Sequence, residues 1–517
     1  MLVLTTLAGF ALRSYLLDRY PFREDEAIYG YWALYGWHQD PFFLHVWPDK
    51  PPVFVWLLTL AFQAWGVSPA TARFLNIGLS TLTIPVLAVT ARGWWGDWAG
   101  VAAALVAGLA PFAITFAPTA FTDPLLVLAG SLALALMVRR RFFGSGMALG
   151  VAIMTKQQGL LFVPLVVGAG LLDWRPSLGD GPTPRQRALA VLAFLAGIAA
   201  VVAPILYWDS LRWSVAPSPW DLGARNVGAV SLTALAQWGA RLRGWLDLAW
   251  YLLASNLAWL VVSAGVVVGV ALAARRRAPF RTWAPAVFLV AWAVGFGGLH
   301  VVTSVQIWDR YLLPLVAPLA LAVAWAVAEL QGVVNGWRGK GHKGFPGGAL
   351  MLIGLLVLAP PAVLAAAGRL PVGGDHGAYS GIDEAFAYVT AASHAHSVAL
   401  YQRELGWHAR FYLYDALEQG AVDLRYYPSS VFLADSAAKL PDRRRLVIVP
   451  DWSPLRDLDP QLAARGLTAK VRLRAGHFTV YEISAQSQGD ARWRVCRPRE
   501  TRPALTAPTA GAMMCRP

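Results

Sequence analysis

The sequence predicts a polytopic α-helical membrane protein that carries a C-terminal α/β domain outside the membrane. Hydrophobic residues make up 57% of its 517 residues and charged residues only 14%, against about 25% charged in an average soluble domain. Apolar runs close to the ~20 residues that span ~30 Å of hydrocarbon recur through residues 1–366. From about residue 370 the composition becomes that of a soluble protein. Because closed membrane barrels use shorter, alternating strands, the long runs favour a helical bundle.

Eleven apolar runs are predicted to cross the bilayer. A further run, 51–66, is short and begins with a double proline, so it is predicted to lie on or dip into the outer surface. If it crosses instead, the number of helices changes, and the predicted range is about 11–13. The predicted spans are residues 1–18, 73–91, 97–117, 122–138, 143–156, 158–173, 187–207, 249–273, 283–302, 307–329 and 347–366.

The arginines predict the orientation of the chain. Basic clusters occupy loops between apolar runs, at 139–141, 175–187, 275–277 and 338–343. The positive-inside rule places these loops in the cytoplasm and everything beyond residue 370 outside the membrane. The net charge of +14 follows this distribution and forms no single basic face, so no nucleic-acid partner is predicted. With 38 arginines and six lysines, the composition points to a bacterial inner membrane.

Three regions are predicted along the chain. Residues 1–366 form the transmembrane domain, whose first outer loop, 18–72, carries the candidate catalytic residues; 370–485 form the α/β domain, and 486–517 are predicted to be disordered. Within the α/β domain, strands are predicted at 398–401, 431–433, 446–449 and 478–483, and helices around 382–394, 404–418 and 460–466.

Acidic residues beside the hydrocarbon on the outer side are the first candidates for chemistry, because ionisable groups there are costly to keep. The first outer loop contains Glu24, Asp25 and Glu26. Adjacent carboxylates disfavour one another's ionisation, which suits a general base or a cation site, although such a triplet is also common in solvated loops. Asp123 precedes Pro124 at the outer end of a span, where it either acts in the site or only starts a helix.

Basic residues on the predicted outer side are equally informative. Two of the six lysines, Lys50 and Lys156, lie in outer loops. A lysine there offers a point charge to phosphate or carboxylate, and the alternative is a loop charge without a function. Arg310 begins a span on the same side, against the usual distribution of arginine.

Several short motifs follow one another at and beside the outer ends of the spans: Asp25-Glu26 with Tyr29, Asp49-Lys50-Pro51-Pro52 with Trp56, Arg73, Thr122-Asp123-Pro124, Met154-Thr155-Lys156 and Arg310-Tyr311-Leu312-Leu313-Pro314. Together these motifs resemble the GT-C superfamily of membrane glycosyltransferases, in particular the branch of protein O-mannosyltransferases and lipid A aminoarabinose transferases. The resemblance lies in the order and spacing of the motifs rather than in any one of them. Two features depart from the pattern: Arg23-Glu24 crowds the acidic site, and Gln157-Gln158 follows Lys156.

The resemblance implies transfer of a sugar from a polyprenyl-phosphate carrier to a hydroxyl acceptor at the outer face, by displacement with inversion. It implies Asp25 as the catalytic base, with Glu26 as the alternative. Metal dependence varies within the superfamily, so a divalent cation stays open as a cofactor, with Asp25, Glu26 and Asp123 as its ligands if one binds. The residues implied in substrate binding are Tyr29, Asp49, Lys50, Arg73, Asp123, Lys156, Arg310 and Tyr311.

The expected partners are the lipid bilayer, a polyprenyl-phosphate sugar donor, and a protein, lipid or glycan acceptor. The alternative functions are a transporter or flippase of a lipid-linked sugar, a non-catalytic binding protein of the same fold, and a glycan polymerase or ligase. Transporters place charged groups at the bilayer midplane on broken helices, often within repeats. Here the candidate residues share one predicted surface, which favours the transferase.

Overall fold

Helices dominate the chain up to Ala366, and a five-stranded sheet with its own helices follows. The computed structural model describes residues 1–173, 183–226, 230–337, 346–374 and 376–486. The helices are α1 (Leu2–Ser14), α2 (Glu24–His38), α3 (Val53–Trp65), α4 (Pro69–Trp95), α5 (Asp97–Leu109), α6 (Pro111–Phe116), α7 (Asp123–Val138), α8 (Phe142–Thr155), α9 (Phe162–Asp173), α10 (Pro184–Arg212), α11 (Pro219–Asn226), α12 (Leu235–Ala249), α13 (Asn256–Arg275), α14 (Phe280–Val302), α15 (Val316–Trp337), α16 (Pro346–Ala366), α17 (Ile382–Ser393), α18 (Gly406–Tyr412), α19 (Tyr414–Glu418), α20 (Ser430–Ala438) and α21 (Leu458–Ala463). The described residues also form the 3₁₀ helices η1 (Gln157–Leu161), η2 (Trp250–Leu252) and η3 (Asp309–Leu315). The strands are β1 (Val398–Gln402), β2 (Val422–Tyr426), β3 (Arg444–Pro450), β4 (Leu467–Ala475) and β5 (Phe478–Ala485).

The helical part has the composition of a multi-pass membrane protein. Within the described ranges, six helices are long and apolar enough to cross a membrane: Pro69–Trp95, Pro184–Arg212, Asn256–Arg275, Thr282–Val302, Asp309–Gly332 and Gly348–Ala366. Shorter apolar helices of 10–17 residues accompany them, and α3 is one of these. The predicted polytopic helical fold is therefore confirmed. That α3 lies on the surface of the membrane stays a prediction.

Two predicted spans are interrupted. The run 97–117 divides at Ala110 into α5 and α6, because Pro111 has no N–H to continue the helical hydrogen bonds. The run 249–273 begins as η2, and α13 starts only after Ser255, whose hydroxyl accepts from the Ala258 N–H at 3.2 Å. Residues 175–182 and 338–343 of the predicted basic clusters lie outside the described residues, as does the predicted disordered tail from 487 onward.

Arg13 holds the break between α5 and α6. Its guanidinium is 1% exposed and donates to the carbonyls of Ala107 and Gly108, each at 2.9 Å. Because α5 ends at Leu109, these carbonyls belong to its last turn, where helical partners run out. Nε of Arg13 also donates to the Ser80 hydroxyl at 2.9 Å. The arginine of α1 thereby satisfies backbone groups that the proline leaves unpaired.

Replacing Arg13 by methionine is expected to lower the free energy of unfolding by roughly 2–5 kcal/mol, because it leaves two buried carbonyls without donors. Thermal or denaturant unfolding of the purified protein in detergent measures the change. Arg141→Met serves as the matched control, since Arg141 is exposed. Equal unfolding curves for the two variants would contradict the assigned role of Arg13.

The C-terminal domain is a mixed sheet with the strand order β2-β1-β3-β5-β4. The strands β2, β1 and β3 are parallel, while β5 is antiparallel to β3 and to β4. The predicted α/β character is confirmed, but the predicted strand 431–433 is wrong. That segment lies in α20, where Ser429 caps the helix and Leu433, Ala434 and Ala437 form its buried face. Strands β2 and β4 were not predicted, because their residues are only partly buried and carry several charges.

The domain is docked on α2 through α18. The Phe411 ring lies 4.8 Å from that of Phe22, and a Cβ at Gly30 would come within 2.9 Å of Phe411, so only glycine permits this approach. The Phe22 N–H donates to the Tyr412 hydroxyl at 3.0 Å, and His408 Nε2 lies 3.1 Å from the Phe22 carbonyl. Burial lowers the pKa of His408 to about 4, so at neutral pH it is an uncharged donor. These contacts bring the C-terminal domain against the segment 18–72, which contains the acidic triplet.

Candidate active site

The acidic triplet forms the first turn of α2, where carboxylates interact favourably with the helix dipole. Successive residues of a helix point about 100° apart, so the three side chains separate. Glu24 is exposed, Asp25 lines a cavity and Glu26 is buried. Partial desolvation and, after it, the charge of Asp25 raise the pKa of Glu24. The triplet therefore divides into three different environments.

Glu26 is held in an ion pair with Arg73. The two side chains are 2% and 4% exposed, and two hydrogen bonds of 2.7 and 3.0 Å join them. Glu26 also accepts from the N–H groups of Arg23 at 3.0 Å and Ala120 at 2.9 Å, and Arg73 donates to carbonyls of the loop before α2. Both carboxylate oxygens of Glu26 are thus occupied. Glu26 and Arg73 border a separate cavity of about 30 Å³ and do not reach the cavity that Asp25 lines.

Asp25 borders a cavity of about 620 Å³, which we call the site cavity. Its Oδ2 accepts from Nη1 of Arg310 at 2.6 Å, and Oδ1 has no hydrogen-bond partner among the described residues. The Arg310 guanidinium lies between two aromatic rings, 4.9 Å from the centroid of Phe121 and 4.5 Å from that of Trp308. Tyr29, one helical turn after Asp25, lines the same cavity. The predicted Asp25, Tyr29 and Arg310 therefore share one wall.

Asp40 shapes the loop that leads to the next site residues. It is 4% exposed, and its carboxylate accepts from the N–H groups of Leu44 at 2.8 Å and His45 at 2.7 Å. Such bonds from a side chain to the following backbone fix a turn. Asp40 was not among the predicted site residues, although an aspartate directly before Pro41 is a turn signal.

Asp49 and Lys50 form an ion pair of 2.6 Å at the edge of the site cavity. Oδ2 of Asp49 also accepts from the Asn226 amide at 2.7 Å, and the Asp49 carbonyl accepts from Gln157 at 2.9 Å. Burial alone would raise the pKa of Asp49, but Lys50 and Asn226 outweigh it and hold the pKa below its usual value. Asp49 is therefore ionised at neutral pH.

Asp123 and Lys156 form a second ion pair of 2.6 Å, with side chains 1% and 5% exposed. Asp123 is the first residue of α7 and Lys156 follows α8, so these antiparallel helices bring the pair together. Nζ of Lys156 also lies 4.4 Å from the ring centroid of Tyr311 in η3. Asp123 thus does more than start a helix: it holds a buried lysine against an aromatic ring.

An apolar groove of about 440 Å³ adjoins the site cavity. It shares Lys50 and Tyr311 with that cavity and adds Lys156 at the same end. Gln158, whose position departs from the family pattern, donates to the Tyr311 carbonyl at 2.9 Å and lies 3.2 Å from His300 Nε2. The remaining walls of the groove are mainly apolar and include Leu160, Leu161, Trp220, Leu299 and Val305.

Most of the predicted site residues come together, but several neighbours were not predicted. Asp25, Tyr29, Asp49, Lys50, Arg310 and Tyr311 line the site cavity, and Lys156, paired with Asp123, lines the groove. Helix α11, which lies between the predicted spans 187–207 and 249–273, supplies Asn226 to the cavity, and this was not predicted. Trp407 and Arg410 of the C-terminal domain also line the cavity, and their local sequence contains no signal that predicts this.

The three carboxylates considered for a divalent cation do not form one donor set. Asp25 faces Arg310, Glu26 faces Arg73 and Asp123 faces Lys156. Within the described residues, no group of three or more His, Cys, Asp or Glu side chains is arranged to hold a metal ion. The residues therefore do not fit the metal site considered from the sequence.

Comparison with solved structures decides the fold. ArnT from Cupriavidus metallidurans bound to undecaprenyl phosphate superimposes with a TM-score of 0.61 at 19% identity, covering 93% of this chain and 97% of that one. The apo state of the same ArnT superimposes with a TM-score of 0.63 at 17% identity, covering 94% of this chain and 98% of that one. The Archaeoglobus fulgidus oligosaccharyltransferase in its apo form superimposes with a TM-score of 0.54 at 12% identity, covering 87% of this chain and 69% of that one. The chain has an ArnT-like fold. The resemblance found in the motifs is thereby confirmed.

Part of the chain also matches a family model in sequence. Residues 49–208 match the family model described as dolichyl-phosphate-mannose-protein mannosyltransferase. This range includes Asp49, Lys50, Arg73, Asp123 and Lys156. No curated protein matches the sequence significantly.

Proposed function

We propose that this protein is a glycosyltransferase that moves a sugar from a polyprenyl-phosphate carrier to a hydroxyl acceptor. The observation that carries the proposal is the junction of the apolar groove with the site cavity, where Lys50, Lys156 and Tyr311 lie together. A carrier of this kind has an apolar tail and an anionic phosphate, so it requires an apolar groove that ends at cationic side chains. The solved ArnT structure with undecaprenyl phosphate has the same fold, which supports this choice of donor.

The proposed reaction is a direct displacement at the anomeric carbon. The acceptor oxygen forms a bond to that carbon while the bond to the phosphate oxygen breaks, and the electron pair leaves with the polyprenyl phosphate. Asp25 takes the acceptor proton through Oδ1, the oxygen that Arg310 does not occupy. Lys50 and Lys156 stabilise the charge that develops on the departing phosphate. Because attack occurs opposite the leaving group, the anomeric configuration inverts.

The other predicted residues receive supporting roles. Tyr29 and Asp49 line the site cavity, and we assign them to orient hydroxyl groups of the sugar or acceptor. Asp123 positions Lys156 through their ion pair, and the ring of Tyr311 packs against the ammonium group of Lys156. Glu26 and Arg73, away from the cavity, position the first turn of α2 and hence Asp25.

We also propose that the site and the C-terminal domain face away from the cytoplasm. Helix α7 begins at Asp123 beside the site and runs 16 residues, or about 24 Å, before Arg139. The cluster 139–141 therefore lies at the end of α7 remote from the site, and α8 returns to Lys156. Positive-inside orientation of that cluster supports an outward site.

The proposal is tested by incubating the purified, reconstituted protein with a panel of radiolabelled polyprenyl-phosphate sugars and crude envelope acceptors. Label is expected to leave the lipid phase and appear in a water-soluble or macromolecular product. Heat-inactivated protein is the control. If no donor loses its label while sugar lipids still bind, the function would instead be transport or binding of lipid-linked sugars.

Replacing Lys50 by methionine is expected to raise the KM for the donor about 10- to 100-fold, because a charged hydrogen bond to the phosphate is lost. Initial rates at varied donor concentration measure the effect. Lys470→Met, at an exposed lysine of β4, is the matched control and should keep the KM of the unmodified protein. An unchanged KM in the Lys50 variant would contradict the proposal that Lys50 binds the donor phosphate.

A further inference from the structure

Four side chains form one wall of the site cavity where the C-terminal domain meets α2. We call this the domain wall: Tyr31 and Trp32 of α2, and Trp407 and Arg410 of α18. Nη1 of Arg410 donates to the Tyr31 hydroxyl at 3.3 Å. The Trp407 ring lies 5.9 Å from that of Tyr31 and 6.3 Å from that of Trp32. Residues almost 380 positions apart in the chain therefore build one continuous surface.

The domain wall contains one hydrogen-bond donor without a partner and one arginine without an ion pair among the residues that the structure describes. Trp32 is 5% exposed, and its buried Nε1 has no hydrogen-bond partner in the described part of the chain. Arg410 is exposed and makes no ion pair with any described residue. The other two cations of the cavity, Lys50 and Arg310, face Asp49 and Asp25. A ligand with oxygen acceptors and negative charge would therefore complement this wall.

We propose that the domain wall binds an anionic group, a carboxylate or phosphate, that the acceptor carries near its reacting hydroxyl. The proposal rests on the proposed transferase function, because it assigns the second substrate. A guanidinium fork matches the oxygens of carboxylate and phosphate, and aromatic faces pack against the neighbouring ring of a ligand. The C-terminal domain thus selects acceptors by charge.

The position of the wall favours the acceptor over the donor. The apolar groove meets the site cavity at Lys50 and Tyr311, and none of the four wall residues lines the groove. A donor whose tail fills the groove places its phosphate at the lysines. The wall then stays open to the other substrate, and Asp25 lines the same cavity.

The test compares three matched probes: methyl glucoside, methyl glucuronide and methyl glucoside 6-phosphate. Their binding to the full-length protein in lipid nanodiscs is measured by calorimetry, and their use as acceptors is measured with labelled donor. The unmodified protein is expected to bind at least one anionic probe about tenfold or more tightly than methyl glucoside. Arg410→Met should remove that preference, and Arg410→Lys should retain part of it.

Two controls keep the result specific. Arg474→Met removes an exposed charge from β4 and should preserve the preference, and thermal unfolding verifies that each variant is folded. Preference for glucuronide, for phosphate or for both supports the proposal and identifies the group. Equal or undetectable binding of all three probes, or a preference that survives Arg410→Met, overturns it. If no donor transfers its label, the proposed transferase function is contradicted. The binding measurements then still test whether the domain wall prefers anionic probes.

Discussion

Replacing Asp25 by asparagine is expected to lower sugar transfer about 10²- to 10⁴-fold, the usual contribution of a general base. The amide keeps the size of the side chain, and its oxygen can still accept from Arg310, so the cavity wall is preserved. An amide cannot take the acceptor proton at neutral pH. Initial rates at saturating donor, together with thermal unfolding, measure the loss of activity and the integrity of the fold.

Asp97→Asn is the matched control for this variant. Asp97 pairs with Arg92 at the start of α5, where both side chains are largely exposed, and its replacement should leave the transfer rate unchanged. Full activity of the Asp25 variant would show that another group accepts the proton. Glu26 would then be the group to examine, although Arg73 and two backbone N–H groups already occupy its oxygens.

Replacing Arg73 by methionine is expected to lower the free energy of unfolding by about 3–5 kcal/mol, the cost of leaving one member of a buried ion pair alone. The Glu26 carboxylate, 2% exposed, would lose its cation and two hydrogen bonds. Denaturant or thermal unfolding in detergent measures the loss. Transfer activity should fall as well, because the first turn of α2 would no longer hold Asp25 in place.

The double variant Glu26→Gln, Arg73→Met separates the pair from the rest of the protein. Removing both charges should recover part of the stability, since no buried charge is then left unpaired. Arg92→Met, at an exposed ion pair, should change stability little, because such pairs contribute about 0–1 kcal/mol. A single Arg73 variant as stable as the unmodified protein would contradict the structural role of the pair.

Much of the site was predictable because its residues lie at the ends of apolar helices. Asp123 starts α7 and Lys156 follows α8, so the reversal of the chain in the membrane places them at one surface. Lys50 precedes α3 and Arg310 precedes α15. The alternation of the predicted spans across the membrane assigned both residues to that surface. Hydropathy and basic clusters were sufficient for this step because the bilayer restricts where a helix can begin and end.

Only the family resemblance ranked Asp25 ahead of Glu26, because the local sequence does not separate the two. Asp25 and Glu26 are adjacent, and no property of the local sequence tells which one faces the cavity. The answer depends on the rotation of α2 about its axis, which packing against α18 and the ion pair with Arg73 determine. For the same reason Arg73, which the resemblance implied in substrate binding, pairs with Glu26 and does not line the site cavity.

The sequence by itself determined the membrane architecture, the set of charged residues at one surface and the resemblance to the GT-C superfamily. These follow from composition and from residue order, which local physical rules translate into helices and their direction. Only the tertiary structure decided which of these residues share a cavity, how the apolar groove joins it, and that Trp407 and Arg410 complete its wall. Such contacts join residues hundreds of positions apart, and they depend on side-chain packing between separately formed elements, which local sequence does not encode.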